Sequence, residues 1–438
     1  MPTLTKSNAL FQTAAQVLPN GVTSNFRYWG PEETRYLERG QGAHLWDVDG
    51  NEYIDFRLGY GPNILGHGDA RVDEAVIEAV RGNGNSFAMS LPIEQEVARK
   101  MADMCPCVDQ VRFCNSGTEA THHALRVARS YTTREKFIMF EGQYHGVHDY
   151  VLFTTMVRND WITTNRRSPV PVPITSGIPK ALHELVIMLP FNDPETLERI
   201  VKQTWHDVAA ILVEPVLGNC GGIMPEAGWL ETIRKVCDEY GIVFIMDEVK
   251  TGFRLAKGGA QEFFDVTPDL ATYAKALGNG YPVAAFGGKR ELMKHITSGL
   301  VHGGTYCGNR VGMAAANATL DILQNTNALE TIHARGRELQ SAWTEVLERF
   351  GVPFSVQGHP SLPSFWFTEK PPREYRDWLE TDHDLYGRVA MGLIERGVLP
   401  EPDAREPWFL CEAHSHADVM ETANVLEDVM REQVKSKK

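Results

Sequence analysis

Residues 209–249 read AAILVEPVLGNCGGIMPEAGWLETIRKVCDEYGIVFIMDEV. Two near-continuous apolar runs, 209–216 and 242–249, flank a stretch (228–241) whose apolar residues recur at helical spacing. Aliphatic runs without a polar face suit strands buried on both sides, and a helix between them returns the chain so that they lie parallel. The unit recurs outward in both directions. Upstream, VRFC (111–114) precedes TEATHHALRVARSY (118–131) and KFIMF (136–140); downstream come LATYAKAL (270–277) and PVAAFGG (282–288). This alternation predicts an α/β fold: a mostly parallel sheet covered by helices.

The flanks read differently. AHLWDVDGNEYIDF (43–56) predicts two strands joined by a turn at Asp49-Gly50, where glycine supplies the positive φ of a hairpin. It belongs to a smaller antiparallel piece. After about residue 310, two helical stretches (311–324 and 330–351) lead to short strands at SFWFTE (364–369) and WFLCEA (408–413) and a closing helix from about Asp418. The expected organisation is an N-terminal segment of a small domain (1–62), a large domain (63–310) and a C-terminal α+β part of the small domain (311–438). The segment VRNDWITTNRRSPVPVP (157–173) follows neither period and predicts a long loop.

Composition bounds the function. The chain has 438 residues, enough for two domains, with 43% hydrophobic and 23% charged residues and no uninterrupted apolar run of membrane-spanning length. The first twenty residues contain no long apolar stretch after a basic start, so no secretory signal and a cytoplasmic location are expected. Asp and Glu outnumber Lys and Arg by 57 to 43, a formal charge of -14 that repels a phosphate backbone. Neither a membrane nor a nucleic acid is the expected partner. The seven cysteines form no paired CxxC spacing, which points to reduced thiols and no metal centre.

Four segments carry candidate chemistry. Asn115-Ser116-Gly117-Thr118-Glu119-Ala120 lies between a strand and a helix, where unpaired N–H groups, Gly117 and the hydroxyls of Ser116 and Thr118 suit a phosphate; a plain N-cap is the alternative. Asp247 ends an apolar strand, where open α/β sheets bind ligands, and a carboxylate there can hold a protonated ring nitrogen; a metal site or a solvated loop start is the alternative. Lys275 stands alone in an apolar strand end before a Gly-rich turn. Desolvation there lowers an amine's pKa, as a Schiff-base lysine requires, whereas in isolation a snorkelling surface lysine is the simpler reading. HGGTYCGN (302–309) offers small residues, Thr305 and a following helix, again suited to a phosphate.

Taken together, NSGTEA (115–120), FEGQYHG (140–146), ILVEPV (211–216), MDEVKTGFR (246–254), DLATYAKALGNGYPVAAFGG (269–288) and HGGTYCGN resemble the class III aminotransferases of pyridoxal-5'-phosphate (PLP) fold type I. The resemblance spans nearly the whole chain. It implies that Lys275 forms the imine with PLP and shuttles the proton, that Asp247 pairs with the pyridine nitrogen, and that Val249 and Tyr144 pack on opposite faces of the ring. It implies a phosphate held by Ser116, Gly117 and Thr118, with Thr305 reaching the phosphate of a neighbouring subunit, hence a homodimer. Glu214 is expected on the cofactor's hydroxyl side.

Within the class, PNGVTSNFRYW (19–29), WDVDGNEYIDF (46–56) and FGGKRELM (286–293) look like the glutamate-1-semialdehyde 2,1-aminomutase branch, which places Ser24 and Arg27 at the substrate carboxylate. Trp29, Tyr60 and Trp161 are further pocket candidates. The segment 156–173 departs from that branch: it is bulky, with Trp161, Arg166 and Arg167, where the aminomutase has a lid of small residues. The tail shows no obvious carboxylate-binding arginine. The expectation is therefore a ping-pong aminotransferase acting on small molecules. Intramolecular exchange, another PLP reaction and a non-catalytic PLP-binding module are the alternatives, the last opposed by an intact Lys275, Asp247 and Tyr144.

Overall fold

A computed structural model describes residues 2–155 and 165–435. Near the N-terminus, β1 (Leu37–Gln41), β2 (His44–Asp47) and β3 (Glu52–Asp55) form an antiparallel meander, and Gly50 turns β2 into β3 at φ 92°. The large sheet follows: β4 (Gln110–Cys114), β5 (Lys136–Phe140), β6 (Val186–Leu189), β7 (Val208–Val213), β8 (Val243–Asp247), β9 (Leu270–Tyr273) and β10 (Ala284–Gly288). Its order is β4-β10-β9-β8-β7-β5-β6, with β10 alone running against its neighbours. β11 (Ser355–Gln357) pairs with β12 (Ser364–Trp366), and β13 (Val398–Leu399) closes the small sheet beside β3.

Every residue of β7, β8, β9 and β10 is buried. Successive side chains alternate between two cores: Ile211, Val213, Phe244 and Met246 join the one shared with the C-terminal part, while Ala210, Leu212, Val243 and Ile245 join the one under the helix Gly117–Thr132. Period two with both faces covered explains why these strands read as continuous apolar runs. Among the described residues no helix is long and apolar enough to cross a membrane, and none of the seven cysteines is in a disulfide.

Two expectations are corrected. The small sheet is not purely antiparallel, because β13 joins β3 in parallel register, Val398 opposite Ile54. WFLCEA is not a strand. Trp408–Cys411 are buried, with Glu412 and Ala413 in a turn, and Trp408 N–H bonds to Pro363 O, Phe409 N–H to Phe56 O and Leu410 N–H to Ser361 O, so these donors serve two separate segments rather than one ladder. The described part of the long loop, from Asn165, has no helix or strand; Phe153 and Pro173 form an isolated bridge at its base.

Candidate active site

The carboxyl ends of β7, β8 and β9 present Glu214, Asp247 and Lys275. Lys275 follows β9 in left-handed backbone conformation, φ 45°, which a lysine adopts only where its surroundings impose it. Burial, then the nearby charge of Lys250, pulls its amine down to about 7, while Glu406, Glu214 and Asp247 pull it upward. Among the described residues its Nζ has no hydrogen bond or ion pair. This is a partly buried amine, not a surface lysine.

Asp247 is 3% exposed, so it is neither a solvated loop start nor a free carboxylate. One oxygen accepts from Val249 N–H and Thr272 Oγ1, each at 3.0 Å; the other lies 2.7 Å from His145 Nδ1. Gln143 accepts from Glu214 N–H at 3.0 Å and donates to Glu214 O at 2.9 Å, which fixes which end of its amide is oxygen. That oxygen faces His145 Nε2 at 3.2 Å, so His145 bridges Gln143 and Asp247. His145 and Gln143 sit in FEGQYHG beside Tyr144, a position that should have marked them, and the motif reading passed over both.

Tyr144 donates its N–H to Glu214 Oε1 at 2.7 Å; burial pushes the Tyr144 phenol up to about 12 and raises the Glu214 carboxyl. The turn carrying these residues is held to the helix Gly117–Thr132 by Thr121 Oγ1, which donates to His145 O at 2.6 Å. At that helix start both readings of the motif apply, to different atoms. Ser116 is an N-cap, its Oγ accepting from Glu119 N–H at 3.2 Å, and Thr118 Oγ1 accepts from Val147 N–H at 3.2 Å. The N–H groups of Gly117 and Thr118 donate to no described residue. They are the orphan donors of a helix N-terminus, where an anion binds. A Cβ on Gly117 would lie 3.1 Å from Val249 Cγ2 and 3.8 Å from Ala274 Cβ, so the helix start, the residue after β8 and the residue before Lys275 meet at van der Waals distance.

These features fit PLP: an anion cradle, a buried carboxylate braced by His145, an aromatic side chain and a near-neutral amine. Over them, Phe26 packs edge-on to Tyr144 and Tyr60, with centroids 6.1 and 6.3 Å apart. A cavity of about 150 Å³ is lined by Phe26, Trp29, Tyr60, Asn219, Arg405 and Glu406, among others. Tyr60 donates to Phe26 O at 2.8 Å. Ser24 accepts Arg27 N–H through its carbonyl at 3.0 Å. Arg27 is exposed, and among the described residues its guanidinium bonds only Thr23 Oγ1, at 2.9 Å. Other cations here are engaged: Arg57 with Glu401, Arg405 with Asp403, and Arg166 with Glu374 and Asp377. Trp161 lies outside the described residues, and Thr305 stands exposed, bonding Ser86 Oγ through its carbonyl at 3.1 Å.

Residues 29–398 match the family model described as aminotransferase class-III. The chain is 37% identical over 431 residues to the glutamate-1-semialdehyde 2,1-aminomutase of Persephonella marina, covering 98% of this chain and 99% of the relative. Its structure resembles an omega-transaminase from Sphaerobacter thermophilus with a TM-score of 0.89 at 34% identity, covering 97% of this chain and 96% of the other. It also resembles a transaminase with PLP bound, at TM-score 0.89 and 28% identity, with 99% of each chain covered.

Proposed function

The chain belongs to the class-III aminotransferase family, and on that premise we propose that it is a PLP-dependent aminotransferase passing an amino group from an amino acid or amine to a keto acid or aldehyde. The observation that carries the reading is the near-neutral amine of Lys275 within electrostatic reach of the buried Asp247. PLP, when bound, supplies an electron sink that makes the substrate's Cα–H removable. Lys275 takes that proton and returns it to the neighbouring carbon; an amine near 7 serves as both base and acid at neutral pH. Asp247, braced by His145, would hold hydrogen at the ring nitrogen. Gly117 and Thr118 would hold the phosphate through their N–H groups, with Ser116 shaping that helix start. Val249 and Tyr144 would pack on the ring, and Glu214, which fixes Tyr144, would serve its hydroxyl side.

Ser24, Arg27, Tyr60 and Trp161 are the substrate residues of this reading. Arg27 is the strongest candidate for a substrate carboxylate, because among the described residues it has no ion pair, whereas Arg57, Arg405 and Arg166 each already face a carboxylate. A second copy of the chain completes the site in a cytoplasmic homodimer. Supporting this, Thr305 is exposed and lines a cavity of about 640 Å³ together with the exposed Phe87 and Met89, and the neighbouring Val301 and Tyr306 are exposed too. Large exposed apolar side chains of this kind suit an interface. An active monomer in sedimentation analysis would remove the second copy from the site.

Intramolecular amino exchange is the second reading, favoured by the likeness to the Persephonella marina aminomutase. A donor and acceptor screen at the cofactor's visible band separates the two. Bleaching by an amine alone and recovery with an unrelated keto acid means two-substrate transfer; bleaching and recovery only with one diamine-forming substrate means exchange. Borohydride reduction with peptide mapping tests the core of both, and a label on any lysine except Lys275 sinks them.

A further inference from the structure

Lys250 lies three residues past Asp247 and is 7% exposed, a burial that lysine tolerates only with partners. It has two. Nζ donates to Gly218 O at 2.6 Å and to Glu406 Oε2 at 2.7 Å. Gly218 belongs to the loop after β7, Glu406 to the tail, and Gly221 N–H bonds Arg405 O at 2.7 Å, so one ammonium draws three segments together. Its approach requires a glycine, since a Cβ on residue 218 would lie 2.4 Å from Lys250 Cδ and 2.9 Å from Glu214 Oε2. Glu406 in turn forms part of the wall of the cavity with Phe26, Tyr60 and Asn219.

We infer that Lys250 is a positioning residue of the reaction: its buried pair with Glu406 holds that carboxylate in the substrate cavity wall and sets a fixed positive charge beside Lys275 and Glu214. This rests on Lys275 being the reacting amine. Four charged groups set the field there. Lys250 opposes a proton on Lys275, whereas Glu406, Glu214 and Asp247 favour one; His145 reaches the site through its 2.7 Å contact with Asp247. A bridge that served only to fix the tail would make either partner's loss act alike. A bridge that sets the field makes the two losses act oppositely.

The test is the pH midpoint of the visible band of the bound cofactor in the holoenzyme, whose chromophore includes the Lys275 nitrogen. Lys250→Met removes the positive charge and should raise the midpoint, because a nearby like charge disfavours the protonated form. Glu406→Gln should lower it. The double variant, which removes both charges together, should return close to wild type. Midpoints that move the same way in both single variants, or do not move, overturn the inference. Should Lys250→Met fail to fold, Glu406→Gln and the double variant still decide, since replacing both partners of a buried pair is often nearly neutral. Borohydride mapping on each variant separates the failures: a label away from Lys275 refutes the reading of the site, whereas a label on Lys275 with unmoved midpoints refutes only the role of Lys250.

Discussion

Lys275→Met should make the cofactor-free protein more stable at neutral pH, and by an amount that depends on pH in a defined way. In an unfolded chain the amine titrates near 10.5; in the fold burial brings it to about 7. Above about 10.5 both states are neutral and the lysine imposes no penalty. As pH falls, the unfolded chain binds a proton that the folded one refuses, so the fold loses stability until about pH 7, below which the deficit is constant. The difference, 10.5 − 7 = 3.5, sets a ceiling of about 5 kcal/mol at ~1.36 kcal/mol per unit. The side chain is partly open to solvent, so about half of that is expected, ~2–3 kcal/mol, allowing for an effective dielectric well above that of a dry interior. Unfolding entropy of ~2.1 cal/mol/K per residue gives ~0.9 kcal/mol/K for 438 residues, hence a rise in Tm of roughly 2–3 °C at pH 7. Calorimetry of cofactor-free wild type and variant from pH 6 to 11, at matched protein concentration, measures it. A gain that is the same at every pH would mean that methionine merely packs better, and no gain at pH 7 would mean that the amine is not desolvated.

Gly117→Ala adds a methyl 3.1 Å from Val249 in the phosphate cradle; cofactor affinity in a fluorescence titration should fall about tenfold, ~1.4 kcal/mol, and an unchanged Kd would remove Gly117 from the cradle. Arg27→Ala should lower kcat/KM for amino acids roughly 30- to 1,000-fold, about 2–4 kcal/mol, and hardly affect an uncharged amine. The Arg166/Arg167 double alanine variant should preserve that discrimination, because these side chains already face Glu374, Asp377 and Glu195; an equal drop for both donors in Arg27→Ala would show a structural role. Arg376→Met removes both charge-assisted bonds, each 2.9 Å, that hold the buried Glu141 carboxylate ahead of Tyr144. Loss of one partner of a buried pair costs about 3–5 kcal/mol, so the urea midpoint should fall clearly; a change under about 1 kcal/mol would show that water replaces the guanidinium.

The large sheet was legible because each of its central strands is buried on both faces and signals itself locally. β6 was not: its four residues follow the irregular segment from 165 and resemble any short apolar run. β13 was invisible for a different reason, since two residues become a strand only by lying beside β3. In the site, Gly117, Asp247 and Lys275 announced themselves by standing at strand ends among apolar or small residues. Lys250 stood in the same motif as Asp247, among Glu248, Thr251 and Arg254, where a lysine looks like an ordinary solvated charge, and its partners come from Gly218 and the distant Glu406. Arg254, fully buried at the end of that motif, bonds the carbonyls of Gly61, Ser361 and Leu410, which no local pattern reveals.

The parallel pairing of β3 with β13 also sets a schedule for biosynthesis. Ile54 leaves the ribosome 344 residues before its partner Val398 (398 − 54), which at ~5–20 residues per second is roughly 17 to 70 s. Throughout that interval the outer edge of β3 offers unpaired N–H and C=O groups, the kind of template on which nascent chains misassociate. The wall formed by Glu401, Arg405 and Glu406 arrives later still, so Phe26 and Tyr60 wait, made early, for the segment that encloses them. A ribosome that stalls after β10 (Ala284–Gly288) is made but before β13 therefore releases a chain whose large sheet is complete and whose substrate cavity lacks the wall of Glu401, Arg405 and Glu406. Such a product would draw PLP without turning it over, and its exposed strand edge would make it a client for chaperones rather than a partner for a full-length copy.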